Sequence, residues 1–145
     1  MSERLLEILL VEDNPGDARL TSEALSQGVT PNHLSVVTDG VKAMQYLRRE
    51  GQYSAAPRPD LILLDLNLPC KDGREVLAEI KSDASLHCIP VVVLTASQAP
   101  EDIFETYDLS ANCFVNKSAD LERFLQAVRM TEDFWSQTAR LPERR

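Results

Sequence analysis

Apolar runs of strand length alternate with segments of helical period along most of the chain. Leu6 to Val11 predicts a buried strand, and Asn14 to about Gln27 a helix with Asn14 as its N-cap and Pro15 at its first position. Gly28 is placed to end that helix. Leu34 to Val37 predicts a second strand, after which Thr38 and Asp39 open a helix with Val41, Met44 and Leu47 along one face. Gly51 to Pro59, rich in Gly, Ser and Pro, is a loop. Leu61 to Leu64 is the most apolar strand and ends in Asp65. Pro69 and Asp72-Gly73 mark a loop, and a helix from about Arg74 to Ser82 turns Val76, Leu77 and Ile80 inward.

Val91 to Leu94 predicts a fourth strand, Pro100 to about Asp108 a short helix, and Cys113 to Val115 a fifth strand. The last helix runs from about Ala119 to Thr131, with Leu121, Phe124, Leu125 and Val128 as its apolar stripe. Five β-α units in strict alternation result. Their strands are continuously apolar rather than alternating, which predicts a parallel sheet covered on both faces, an α/β fold.

A chain of 145 residues predicts one domain able to bury a core without disulfides or a structural metal. The net charge of -8 disfavours nucleic acid as a partner, because an acidic surface repels phosphate backbones. The apolar runs are too short to span a bilayer, and no signal-peptide pattern opens the chain. Cys70, Cys88 and Cys113 form no CxxC pair and read as reduced thiols. A cytoplasmic location with no membrane association is the expectation.

In a parallel α/β sheet, ligands bind beyond the carboxyl ends of the strands. The first strand ends in Glu12 and Asp13, the third in Asp65, the fourth in Thr95, and the fifth leads to Lys117. Taken singly, each has an ordinary explanation: an acid as a helix cap, a threonine as a turn residue, a lysine as a solvated charge. The same explanations would have to coincide at one edge of four strands. Three clustered carboxylates repel one another, and a divalent cation resolves that conflict. Mg²⁺ fits because it takes one or two carboxylates and keeps positions open for water and phosphate oxygens. Beside a cation, Asp65 can act as a nucleophile on a phosphoryl group. Lys117 then supplies a charge and Thr95 a hydroxyl to the phosphate oxygens, and the small Ala96 leaves the group room.

These residues carry a family resemblance. LLVEDNPGD (Leu9 to Asp17), DLILLDLNLPCKDG (Asp60 to Gly73), PVVVLTA (Pro90 to Ala96) and CFVNK (Cys113 to Lys117) resemble bacterial response-regulator receiver domains over about residues 5 to 131. The resemblance implies a doubly wound, flavodoxin-like, five-stranded sheet of order 2-1-3-4-5. It implies a receiver domain over 1-133 with a short C-terminal extension over 134-145. Glu12 and Asp13 become the acidic pair; Asp13 and Asp65 bind Mg²⁺ through carboxylates and Asn67 through its backbone carbonyl. Thr95, Ala96 and Lys117 contact the phosphoryl group, and Phe114 takes the place of the family's switch aromatic, turning inward on phosphorylation. Its other reading is a permanent core phenylalanine. The chain departs from the family at Ser118, where a proline joined by a cis bond usually follows the lysine. A cis bond before another residue costs about 3–4 kcal/mol, so either the loop is rearranged or strain is carried there.

VEDNPGDARL, the loop before PDLILLDLNLP, the NKS segment and the terminal DFW and LP are similar to the small response regulators paired with bacterial phytochromes. That similarity implies a phytochrome-type histidine kinase as partner. It also implies a homodimer through the face of the fourth helix, fifth strand and fifth helix. Phe134, Trp135 and Leu141 then either extend that contact or pack back on their own domain. His33 and His87 read as surface or loop residues, so the phosphorylated histidine belongs to the kinase. The expectation is a phosphoacceptor with autodephosphorylation as its side chemistry, Asn67 and Ser97 flanking the attacking water. One alternative is a Mg²⁺-dependent aspartate-nucleophile phosphatase of the haloacid-dehalogenase type. That class needs a second acid two residues after the nucleophile, where this chain has Asn67. The other alternative is a protein-binding module independent of phosphorylation.

Overall fold

The computed structural model describes residues 5–27, 31–95 and 113–116 together with Gln126 and Met130; for Thr95 and 113–116 the description is of the backbone. Chain order is β1 (Leu6–Val11), α1 (Pro15–Ser26), β2 (Asn32–Val37), α2 (Gly40–Arg48), a 3-10 turn (Gly51–Tyr53), β3 (Leu61–Asp65), α3 (Gly73–Ser82), β4 (Val91–Thr95) and β5 (Cys113–Asn116). The strands form one sheet of order β2-β1-β3-β4-β5, parallel at every pairing, as the family resemblance implies.

Helices α1 and α2 start where the sequence supplies a side-chain partner for their first amides. Asn14 Oδ1 accepts the Asp17 N–H at 3.0 Å, and Pro15 sits at a position whose missing N–H costs nothing. Asp39 Oδ1 accepts the Lys42 N–H at 2.8 Å. Helix α2 ends on Arg49, which adopts the left-handed conformation at φ 55°.

Period-two alternation of the strands divides the core. Leu9, Val11, Ile62, Leu64, Val91 and Val93 pack with Met44 and Leu47 of α2 and with Val76, Leu77 and Ile80 of α3. Leu6, Ile8, Leu10, Leu61, Leu63, Val92 and Leu94 face the other way, with Ala24 and Leu25 of α1. Every residue of β3 is buried, which makes it the central strand.

Two elements differ from the sequence expectation. Strand β2 begins at Asn32 rather than Leu34, because its backbone pairs with β1 from Leu6↔Asn32 onward whatever the side chains. As an edge strand, only its Val37 is buried. Val41 does not share the inward face of α2: it is 41% exposed, whereas Ala43, Met44 and Leu47 are buried. At 100° per residue Val41 lies roughly 120° from the direction of that stripe. The expected Gly28 helix stop, the helix over 100–108 and the stripe at 121, 124, 125 and 128 lie outside the described residues. Gln126 and Met130, within the last expected helix, are helical and exposed.

Candidate functional site

The parallel register brings the strand-end residues together. Val11 pairs with Leu64, so Glu12 and Asp65 follow side by side at the carboxyl edge of the sheet. Asp65 pairs with Leu94, so Thr95 stands one residue beyond it on the neighbouring strand, and Thr95 in turn pairs with Asn116. Glu12 is 1% exposed and Asp65 6%, while Asp13 is open to solvent. Carboxylate oxygens of Glu12, Asp13 and Asp65 lie within 4.8 Å of one another. Two unit charges at that separation repel by about 3 kcal/mol at an effective dielectric of 20. Three negative side chains held this closely, two of them buried, mark a place built for a positive charge.

Local hydrogen bonds fix the orientation of the acids. Asp65 Oδ1 accepts the Asn67 N–H at 3.1 Å, and Glu12 Oε2 faces the Asn14 N–H at 3.4 Å. The donor chemistry is all oxygen, which fits a hard divalent cation such as Mg²⁺ and not a soft one. Asn67 is exposed next to Asp65, so its position suits a contribution from its backbone carbonyl.

The loop behind the site is held in a narrow conformation. The Lys71 N–H donates to Pro69 O at 2.7 Å around Cys70, whose φ is 67°. That is a tight three-residue turn in a region of backbone space that costs a non-glycine residue about 1–3 kcal/mol. Lys71 is ion-paired with Glu79, which also meets Arg48 at 3.5 Å, so the loop is tied to α3 and to the end of α2. Two glycines let backbone approach backbone. A Cβ on Gly73 would stand 2.6 Å from Leu66 Cα and collide with the Asp65 carbonyl; one on Gly40 would stand 2.7 Å from Lys71 Cβ.

These glycines were not among the expected site residues. The sequence signal for them is the repeated Asp-Gly pair, 39–40 and 72–73, each opening a helix after a strand. Of the expected site residues, Glu12, Asp13, Asp65 and Asn67 are brought together. Thr95 and Phe114 are placed by backbone alone. Ala96, Ser97, Lys117 and Ser118 lie outside the described residues, as do Phe134, Trp135 and Leu141. The expected surface positions of His33 and His87 hold: both are exposed, and His33 Nδ1 lies 2.8 Å from Glu7 Oε2 at the far end of β1.

Comparison with known proteins gives the same picture from outside the site. The family model described as response regulator receiver domain matches residues 8–129. Response regulator Rcp1 of Synechocystis is 49% identical over 135 residues, covering 93% of this chain and 92% of that protein. Among solved structures, the phosphorylated cyanobacterial phytochrome response regulator RcpA superposes with a TM-score of 0.92 at 56% identity, covering 97% of this chain and all of the other. The Mn²⁺-bound form of Rcp1 superposes at 0.91 with 48% identity, covering 95% and 99% of the two chains. Among the described residues no helix is long and apolar enough to cross a membrane. A sheet edge where buried acids meet, and a match over nearly the whole chain, lead to one conclusion: this protein belongs to the response regulator receiver domain family.

Proposed function

We propose that this protein is a single-domain response regulator that accepts a phosphoryl group on Asp65 from the phosphohistidine of a histidine kinase, a phytochrome-type photoreceptor kinase in particular. The observation that carries this is the meeting of Glu12, Asp13 and Asp65 within 4.8 Å in a receiver fold. The similarity to RcpA and Rcp1, one described as a phytochrome response regulator, supports the kinase class.

Asp65 attacks phosphorus with a carboxylate oxygen, the P–N bond to the kinase imidazole breaks, and the leaving imidazole takes up a proton. Burial of Asp65 and its bond from the Asn67 amide fix the orientation of the attacking carboxylate. Glu12, Asp13, Asp65 and the Asn67 carbonyl would hold Mg²⁺, which would supply positive charge to offset the negative charge that gathers there. Thr95, Ala96 and Lys117 receive the phosphoryl oxygens, and Phe114 follows Thr95 inward as the switch aromatic. Hydrolysis of the acyl phosphate, with Asn67 and Ser97 flanking the water, resets the protein. It is a side reaction of a phosphoacceptor rather than enzymatic turnover. Receiver domain 1-133 carries this chemistry in the cytoplasm. The extension 134-145 joins a homodimer contact made by the fourth helix, fifth strand and fifth helix.

Phosphotransfer from a phosphorylated histidine kinase to wild type and to Asp65→Asn tests the assignment. Label on the wild type alone is expected; equal label on both sinks it. Solution mass with and without beryllofluoride tests the dimer.

A further inference from the structure

At the amino-terminal edge of the sheet, opposite the acids, the end of α2 and the turns leading into β3 and β4 border a second feature, open to solvent. It is a cavity of about 310 Å³ lined by Leu47, Arg48, Arg49, Arg58, Ser85 and Leu86. Half of that lining is arginine, in a chain whose net charge is -8. The cations come from separate places. Arg48 is in the last turn of α2, where a positive charge offsets the helix dipole. Arg58 arrives from the loop ten residues later, to which that explanation does not apply.

Of the three, Arg48 has acidic neighbours. Arg48 meets Glu79 at 3.5 Å, and Glu79 is shared with Lys71. Among the described residues no ion pair engages Arg49 or Arg58. Asp83, the acid of the adjoining turn, accepts at Oδ1 from the Ser85 N–H and hydroxyl, both at 2.8 Å, and its charge acts on Arg48. Arg49 occupies a left-handed cap at φ 55°, a position that glycine fills at less cost. Guanidinium forks match phosphate and carboxylate oxygens in pairs. The buried Leu47 and Leu86 give the cavity an apolar wall. Its volume equals that of roughly ten water molecules, room for a small two-headed anion together with a few waters.

We propose that this cavity is a binding site for a small polyanion with two oxyanion groups, phosphate or carboxylate, gripped by Arg49 and Arg58 with Arg48 as a third donor. The site is separate from the acidic cluster and does not depend on phosphorylation of Asp65.

Titration calorimetry of the full chain in Mg²⁺-free, low-salt buffer, with pyrophosphate and with citrate as probes, tests it. One-to-one saturable binding of at least one probe, with Kd below about 1 mM, is expected. Tighter binding of pyrophosphate identifies the phosphate source, tighter binding of citrate the carboxylate source. Arg49→Gln and Arg58→Gln should each weaken binding about tenfold or more, while Asp13→Asn leaves it unchanged. Failure of both probes to saturate, or full affinity in both arginine variants, overturns the proposal. If a variant does not fold, amide shifts in the wild type decide. Movement of the Leu47, Ser85 and Leu86 signals with added probe supports the site, and movement confined to residues 12–14 and 65–67 refutes it.

Discussion

Asp60 and Asp65 bracket the same strand and are almost equally buried, at 5% and 6% exposure. Their surroundings differ. Asp60 Oδ2 accepts the Glu7 N–H at 2.9 Å, and the Asp60 N–H donates to Glu7 O at 2.7 Å, so this acid staples the start of β3 to β1. Asp65, at the other end, faces two further carboxylates. Burial of an acid is therefore no mark of function by itself. Asp60, Asp65 and Glu12 all meet a backbone amide; what sets Asp65 apart is that buried acids gathered together store repulsion that a cation or a phosphoryl group can use.

The comparison is open to attack by mutation. The largest effect belongs to Asp65→Asn, which should abolish acceptance of label in a phosphotransfer assay while the fold persists. Retained labelling would end the distinction between the two acids. Next comes Gly73→Ala, whose methyl group meets the Asp65 carbonyl and Leu66. A loss of about 3 kcal/mol in urea unfolding is expected, at the upper end of overpacking costs, together with slower phosphorylation. Asp60→Ala should cost about 1–3 kcal/mol by stranding the Glu7 amide, yet leave phosphotransfer intact once folded. Parity of these two glycine and aspartate variants in the labelling assay would show that the two ends of β3 are not independent.

Asp13→Asn sharpens the contrast through its sign. Removing one of three like charges should raise the melting temperature of the metal-free protein slightly. In the wild type, Mg²⁺ at a hundredfold excess over its Kd adds about 2.7 kcal/mol, a gain the variant should lose. A metal-free variant less stable than wild type would argue that the acids are not in conflict.

The smallest effect sits at the structural end, with Tyr46. Its hydroxyl donates to Ser35 Oγ at 3.0 Å. Burial raises its pKa above the ordinary 10.0, opposed by the Ser35 bond and aided by the charges of Glu7 and Tyr53. The unfolded phenol therefore ionises first. Its contribution to stability is whole below about pH 10 and is lost as pH rises through the folded value. Tyr46→Phe should flatten the alkaline decline in melting temperature above that pH and leave the profile below it parallel to wild type.

Much of this arrangement was legible in the sequence, for a physical reason. Strands buried on both faces must be apolar throughout, so the abrupt polar stops at Glu12-Asp13 and at Asp65 announce where the apolar sheet ends and a polar site begins. The caps Asn14-Pro15 and Asp39 are local chemistry, written within four residues of the amides they serve. Val41 faces outward because steps of three residues drift around a helix and only the neighbouring sheet decides which side faces in. Strand β2 starts ahead of its apolar residues because backbone pairing, not side-chain polarity, sets the reach of an edge strand.

The residue sequence by itself determined the alternation of strands and helices, the acids at the strand ends and the family to which they point. Tertiary structure alone decided that Val11 stands opposite Leu64, so that Glu12 and Asp65 meet; that Gly40 and Gly73 admit the β3–α3 loop against its neighbours; and that Asp60 is a staple while Asp65 joins a cluster. Each of these joins residues far apart in the chain. Propensity and periodicity act over a few residues, whereas register and close packing are settled only when whole elements assemble.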